Sequence, residues 1–192
     1  MRLSEFVSGC LEQHYSAMLR SVDGLSREEM NWMPTPECSS IGFLVWHYGR
    51  TLDRWIHSRV QNVPQLWEQG WAARLGQEVT DPNDTGYGYG PERLAAFQQP
   101  DTAALLEYAA AALEAATTYL ASRKESDFDT ATLVNPRGGT MTLANMCQQL
   151  LWEFNQHGGQ IAYLRGLQRG LEDSSYSGGL LEGLAARKER DA

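Results

Sequence analysis

The chain has 192 residues, of which 42% are hydrophobic and 21% are charged, and its formal net charge is −8. This length and composition predict one globular domain with a sizeable core, and no run of about 18 apolar residues predicts a membrane span. An acidic chain without a Lys/Arg cluster is not expected to bind nucleic acid or an anionic membrane surface.

The first two predicted helices lie before residue 62. One extends from about Leu3 to Val22, with apolar residues at helical spacing. The next begins at Ile41, after an N-cap at Ser39 or Ser40. A connection over roughly residues 62–100 follows, in which Pro, Asn, Asp and Gly exclude a continuous helix. Connections of this length are usually functional or carry short elements of their own, so we expect it to wall a pocket.

The third and fourth predicted helices occupy the second half of the chain. An Ala- and Leu-rich segment over residues 102–123 predicts the third helix, with Asp101 or Thr102 as its N-cap. A link containing Asn-Pro and Gly-Gly predicts a loop with short extended pieces. The fourth helix starts near Thr140 or Thr142 and runs to about Leu167.

These segments predict an all-α fold, a four-helix bundle with a long connection between the second and third helices. We expect residues 1–170 to form this single domain. Residues 171–192 are a C-terminal tail whose short amphipathic piece could add one more helix.

The cysteines and the N-terminal segment indicate a cellular compartment. Cys10, Cys38 and Cys147 are widely spaced and odd in number, which predicts reduced thiols in a cytoplasm rather than a disulfide framework. The absence of a CxxC motif excludes a Cys-rich zinc site. Residues 1–20 contain acidic residues and no continuous apolar run, so a signal peptide is not expected.

The fourth predicted helix carries an acid and an imidazole on its apolar face. His157 takes one position of the stripe formed by Leu143, Leu150 and Leu164, and Glu153 lies four residues before it. Residues i and i+4 lie side by side on a helix, so the two side chains can reach one point. A carboxylate directed toward a core needs a cation, a donor or a metal. A divalent metal would explain both residues, and a simple ion pair is the alternative.

A metal site needs a third ligand from another helix. His47 lies beside the apolar stripe of the second helix and is the better candidate, with His14 as a further neighbour of the site. His57 belongs near the exposed edge. Two imidazoles and one carboxylate suit Zn²⁺ with one coordination position open, and Ni²⁺ or Fe²⁺ are alternatives. The di-iron signature is absent, because Gln156 and not His follows Glu153 at i+3.

Three segments occur in a characteristic order: MNWMPTPECSSIGFLVWHYGRTLDRWI, then LWEQGWAARLG with TGYGYGPE, and finally WEFNQHGGQIAYLRG. In this order they resemble the DinB/YfiT-like metal-binding four-helix bundles, over about residues 3–167. The last segment is similar to the HxxxHRGQ motif of that family, with His157 and Gln160 in register. The chain departs from the motif at two positions, because Glu153 replaces the first His and Gly158 replaces the Arg.

The His/Glu/His set is similar to the zinc site of the mycothiol-dependent maleylpyruvate isomerase branch. By that resemblance His47, Glu153 and His157 are the metal ligands, zinc is the preferred metal, and the chain forms a homodimer. The resemblance implies a zinc-dependent transferase or isomerase that uses a low-molecular-weight thiol and a small-molecule substrate. The alternatives are a metal-dependent hydrolase, a non-catalytic metal- or ligand-binding protein, and a structural Glu153–His157 pair without metal.

Five further side chains permit two interpretations each. Arg50, Arg54 and Arg165 could meet an anionic substrate or be solvated charges on helix faces. Trp67 and Trp71 could wall the pocket or serve in packing. The sequence does not decide between these roles.

Overall fold

A computed structural model describes residues 1–78, 81–130, 133–135 and 138–170. In chain order the helices are α1 (Leu3–Val22), α2 (Arg27–Asn31), α3 (Ile41–Asp53), α4 (Ala72–Arg74), α5 (Pro91–Ala96), α6 (Thr102–Ala121) and α7 (Leu143–Arg169). Two short antiparallel strands, β1 (Leu133–Val134) and β2 (Thr140–Met141), lie between α6 and α7. The predicted all-α four-helix bundle is confirmed, whereas α2 was not predicted. The predicted tail helix falls in residues 171–192, outside the described residues.

The bundle is formed by α1, α3, α6 and α7. The helices α1 and α3 each pack against both α6 and α7, which places α1 and α3 at opposite corners. Their facing side chains form one apolar core, in which Leu11, Leu44, Tyr108 and Phe154 are almost completely buried. Burial of this apolar surface supplies most of the free energy that holds the helices together.

Local capping determines where three of the long helices begin. Ser40, Asp101 and Thr142 each accept a hydrogen bond from the backbone N–H three residues later, at 3.0–3.2 Å. These bonds satisfy backbone donors that the first helical turn leaves unpaired. Of the alternative caps that the sequence allows, the structure therefore uses these three.

The helix α3 does not stop at Asp53 but continues as a π-helical segment, Arg54–Gln61. A second short segment, Trp67–Trp71, has non-helical backbone angles at Gln69 and Gly70 and leads into α4, and α5 follows later in the same connection. The long connection therefore carries short elements of its own, as its length suggested. Wide π-turns inside helices often accompany functional sites, and the π-helical segment Arg54–Gln61 borders the cavity described below.

We find no helix among the described residues that is long and apolar enough to cross a membrane.

Candidate metal centre

The packing of α3 against α7 brings three potential ligands together. His47 lies on α3, whereas Glu153 and His157 lie one turn apart on α7. One ligand atom from each of the three lies within 4.8 Å of the other two, so a single metal ion could contact all three. His47 is buried and the other two are half-buried, which leaves the group open on one side.

The hydrogen bonds of His47 define the charge distribution of the site. Its Nδ1 atom lies 2.5 Å from the carbonyl oxygen of Thr85, so Nδ1 carries the hydrogen and donates it. In the neutral ring Nε2 then carries a lone pair, and this atom lies 3.0 Å from Oε1 of Glu153. Two acceptors facing each other repel, unless a second proton or a cation lies between them. A metal-binding histidine typically donates its other N–H to a carbonyl group in this way, so the residues fit a divalent metal.

A hydrogen bond at Nδ1 orients His157 as it orients His47. Its Nδ1 atom lies 2.8 Å from Oε1 of Gln160, which leaves Nε2 as the ligand atom. The rings of His47 and His157 meet edge to face, with 4.9 Å between their centroids. Burial lowers the pKa of His157, which favours the neutral form that binds metals.

The loop that presents the Thr85 carbonyl is held by Arg50. This guanidinium is completely buried and donates to the carbonyl oxygens of Pro82 at 2.8 Å and Asp84 at 3.2 Å. It also donates to Oε1 of Gln65 at 2.8 Å. Arg50 is therefore a support of the loop beside the metal ligands, and both roles considered for it from the sequence were wrong.

A buried carboxylate balances the charge of Arg50. Asp53 lies 3.6 Å from the Arg50 guanidinium and accepts a hydrogen bond from the Tyr108 hydroxyl at 2.7 Å. Burial raises the pKa of Asp53. Hydrogen bonds from His57, from Tyr108 and from two backbone N–H groups outweigh burial, so the pKa of Asp53 is lowered overall. His57 pairs with Asp53 at 2.7 Å, and this bond raises the pKa of the imidazole. His57 thus belongs to this network and not to the metal group.

Arg165 differs from both of its sequence-based alternatives, whereas Trp67 takes one of the two roles considered for it. Arg165 is neither solvated nor directed toward the cavity, because it is buried and donates to the carbonyl oxygens of Ser21 and Asp23. Trp67 is buried under the guanidinium of Arg50, 4.3 Å from the ring centroid. Its role is packing, and neither Trp67 nor Trp71 lines the cavity.

Gly86 allows the loop to approach α3 closely enough for the Thr85 carbonyl to reach His47. Its φ is +85°, and a Cβ atom at this position would lie 2.7 Å from the ring of Phe43 and 2.8 Å from that of Trp46. We expect Gly86→Ala to displace the loop and weaken Zn²⁺ binding about tenfold, since the orientation of His47 depends on its carbonyl partner. Competition with a chromophoric chelator measures this affinity.

Gly88→Ala is the matched control for that change. Gly88 also has a positive φ, +76°, but a Cβ atom there would meet no atom of the described residues within 4 Å. Both variants share the backbone strain of a left-handed residue, and only Gly86→Ala adds a steric clash. Equal Zn²⁺ affinities of the two variants would show that loop position does not support the site.

His14 is buried beside the ligands but does not join them. Its ring stacks on Tyr48 with centroids 5.4 Å apart, and neither ring nitrogen has a well-aligned hydrogen bond within the described part of the chain. A Cβ atom on Gly158 would lie 2.8 Å from its Nε2 atom. The imidazole therefore occupies the space that a side chain at position 158 would need, which accounts for glycine at a position where the family motif has arginine.

His14 makes folding sensitive to acid. Burial lowers its pKa from 6.5 to about 4, and the neighbouring Phe154 carbonyl group offsets only part of this shift. The unfolded chain binds a proton on His14 more tightly than the folded chain does. The contribution of neutral His14 to the free energy of unfolding is therefore complete above pH 6.5 and is lost as the pH falls toward about 4. We expect His14→Phe to remove up to about 3 kcal/mol of this acid destabilisation.

Urea denaturation at several pH values, with chelator present, measures the effect of His14. His57→Phe is the control, because the raised pKa of His57 gives a dependence of opposite sign. An unchanged acid dependence in His14→Phe would refute this role of His14.

A cavity of about 580 Å³ opens beside the candidate ligands. The long connection supplies one wall of it, as the sequence suggested, through residues 81–87. The remaining walls come from α3 and its π-helical continuation, from β2 and from α7. His47 and Glu153 are among the lining residues, so a molecule in this cavity would be next to a metal held there.

Sequence reasoning missed the loop that positions His47. Within DPNDTGYGYG the composition indicated only a turn-rich connection, and no local signal marks the carbonyl group of Thr85 as a hydrogen-bond acceptor for a ligand. The repeated glycines are the one usable hint, because Gly86 tolerates both the positive φ and the close approach.

Comparison with known proteins agrees with this architecture. The family model described as the DinB superfamily matches residues 11–161. A crystal structure of a conserved protein from Enterococcus faecalis has the same fold, with a TM-score of 0.76 and 24% identity over 87% of this chain and 97% of that chain. No curated protein sequence matches the chain. The family match spans most of the chain, including all three candidate ligands, and the chain belongs to the DinB superfamily.

Proposed function

We propose that His47, Glu153 and His157 bind one divalent metal, Zn²⁺ in preference to Ni²⁺ or Fe²⁺, and that the centre serves a thiol-dependent transferase or isomerase. The observation that most supports a bound metal is the 3.0 Å distance between His47 Nε2 and Glu153 Oε1. A cation between these two acceptor atoms turns repulsion into coordination. Two neutral imidazoles and one carboxylate are ligands typical of Zn²⁺.

The thiol part of the proposal rests on the open side of the site. When bound, a metal with three protein ligands can hold the sulfur of a small thiol as the nucleophilic thiolate. Thr85 and Gln160 hold the two imidazoles in the metal-binding tautomer. The half-buried Glu153 faces the cavity, which is large enough for a thiol and a second small molecule.

Binding of thiols to the Co²⁺-substituted protein tests this proposal. Cysteine, glutathione and 2-mercaptoethanol are added in turn, and we expect at least one to produce a thiolate-to-cobalt charge-transfer band that is absent from His157→Ala. Protein that binds Co²⁺ in the wild-type form but shows no such band with any thiol would favour the alternatives, a hydrolase or a non-catalytic binder.

We further propose that the chain forms a homodimer through α1 and α7. Trp152, Tyr163 and Leu167 are exposed along one stripe of α7, and Phe6 is exposed on α1, which packs beside it. Exposed large apolar side chains that follow one stripe are typical of an interface. Light scattering is expected to give the mass of a dimer for the wild type and of a monomer for Tyr163→Glu. Dimers in both would place the interface elsewhere.

A further inference from the structure

Among the described residues, three arginines border the cavity beside the candidate metal ligands, and they are not equivalent. Arg93 is neutralised, because it lies 2.6 Å from a carboxylate oxygen of Asp84. Arg54 and Arg59 come from the π-helical continuation of α3, and neither makes an ion pair within the described residues. Within the described part of the chain, the Arg54 side chain has one long hydrogen bond of 3.3 Å, to Asn83, and Arg59 lies over the ring of Trp55.

Holding Arg54 and Arg59 together is unfavourable in the absence of a ligand. The charges of Arg59 and of the buried Arg50 oppose that of Arg54, and Arg54 is itself half-buried. The negative charge of Asp81 attracts Arg54. Its carboxylate, however, accepts a hydrogen bond from the backbone N–H of Asn83 and forms no ion pair with either arginine among the described residues. Neither guanidinium is therefore paired with a carboxylate among the described residues.

The charges of the described lining residues lead to the same conclusion. Among the described residues the lining carries three arginines and three carboxylates, the latter being Asp81, Asp84 and Glu153. These charges cancel when no metal is bound. A divalent cation beside Glu153 would leave an excess of two positive charges around the cavity. A ligand with one anionic group would halve this excess.

We propose that this cavity binds a small organic carboxylate, with its anionic group at Arg54 and Arg59 and its apolar body against Trp55 and Met141. Guanidinium groups match the geometry of a carboxylate. Because both arginines lie beside the candidate metal centre, they determine which end of the bound acid faces the metal. The apolar lining favours an organic acid over inorganic phosphate. This assignment rests on the proposed function, because it names the class of substrate for the same site.

Calorimetric titration of benzoate, benzamide and inorganic phosphate into the Zn²⁺-loaded protein tests the proposal. Benzamide has the shape of benzoate without its charge. We expect benzoate to bind at least tenfold more tightly than benzamide, and about tenfold more weakly to Arg54→Gln and to Arg59→Gln than to the wild type. Arg123→Gln is the matched control, because Arg123 also lies over an aromatic ring, that of Tyr119, but outside the cavity.

The outcomes separate this inference from the metal proposal. Equal affinity for benzoate and benzamide, or equal loss in Arg123→Gln, would overturn it, and so would arginine-dependent binding of phosphate alone. Arg54→Lys, which keeps the charge, replaces Arg54→Gln if the latter does not fold, and it should retain preference for benzoate over benzamide. If the protein binds no Zn²⁺, the proposed function fails, while the same titrations on metal-free protein still test the two arginines.

Discussion

Replacing Glu153 with Gln is expected to weaken Zn²⁺ binding by roughly a hundredfold or more, because it removes the only anionic ligand. The same change should leave metal-free protein at least as stable as the wild type. In the wild type the carboxylate faces the lone pair of His47 at 3.0 Å, whereas an amide N–H of Gln can donate to it. Chelator competition measures the first effect, and urea denaturation with chelator present measures the second.

Glu114→Gln is the control for this pair of measurements, because Glu114 is exposed on α6 and has no part in the site. A marked loss of stability in metal-free Glu153→Gln would mean that His47 is protonated and that the two residues form a structural ion pair. That result would favour the interpretation without a metal.

Arg50→Met is expected to destabilise the protein by about 3–5 kcal/mol, since it removes the buried guanidinium that balances the charge of Asp53 and leaves His57 as its remaining partner. It also removes the donors that hold the carbonyl oxygens of Pro82 and Asp84. Because these residues precede Thr85, the affinity for Zn²⁺ should fall together with stability. Urea denaturation and chelator competition on the same preparations measure both effects.

Arg54→Met is the matched control, one turn further along the same helical axis. Arg54 is half-buried, borders the cavity and forms no ion pair among the described residues, so its removal should change stability by about 1 kcal/mol or less. If both variants are equally stable, the buried network around Arg50 does not support the fold as described.

The helices and the candidate ligands could be predicted because their signals are local. The bounds Leu3–Val22 follow directly from apolar periodicity, and Glu153 and His157 share a helix face by their spacing. Helix position already made His47 a better third ligand than His14, and the resemblance to known bundles implied the same set of ligands. The packing of α3 against α7 brings His47 and not His14 into the group.

The support of the site could not be predicted, because it depends on contacts between distant parts of the chain. The bond from His47 to Thr85 spans 38 positions, and Arg50 is buried by a loop that lies more than 30 positions later. A charged residue on a helix normally faces solvent or a charged ligand, so the sequence did not predict a fully buried Arg50. Only the folded chain shows that Asp53, Gln65 and Tyr108 satisfy its charge and hydrogen-bond donors.

Elemental analysis of untagged protein, alongside His47→Ala and Glu153→Gln, tests whether the three side chains bind a metal. We expect close to one divalent metal ion per chain in the wild type, either as purified or after reconstitution with Zn²⁺, and loss of that metal in both variants. A wild-type protein that retains no metal even after reconstitution would contradict it, and would leave His47, Glu153 and His157 as a buried polar cluster without a metal.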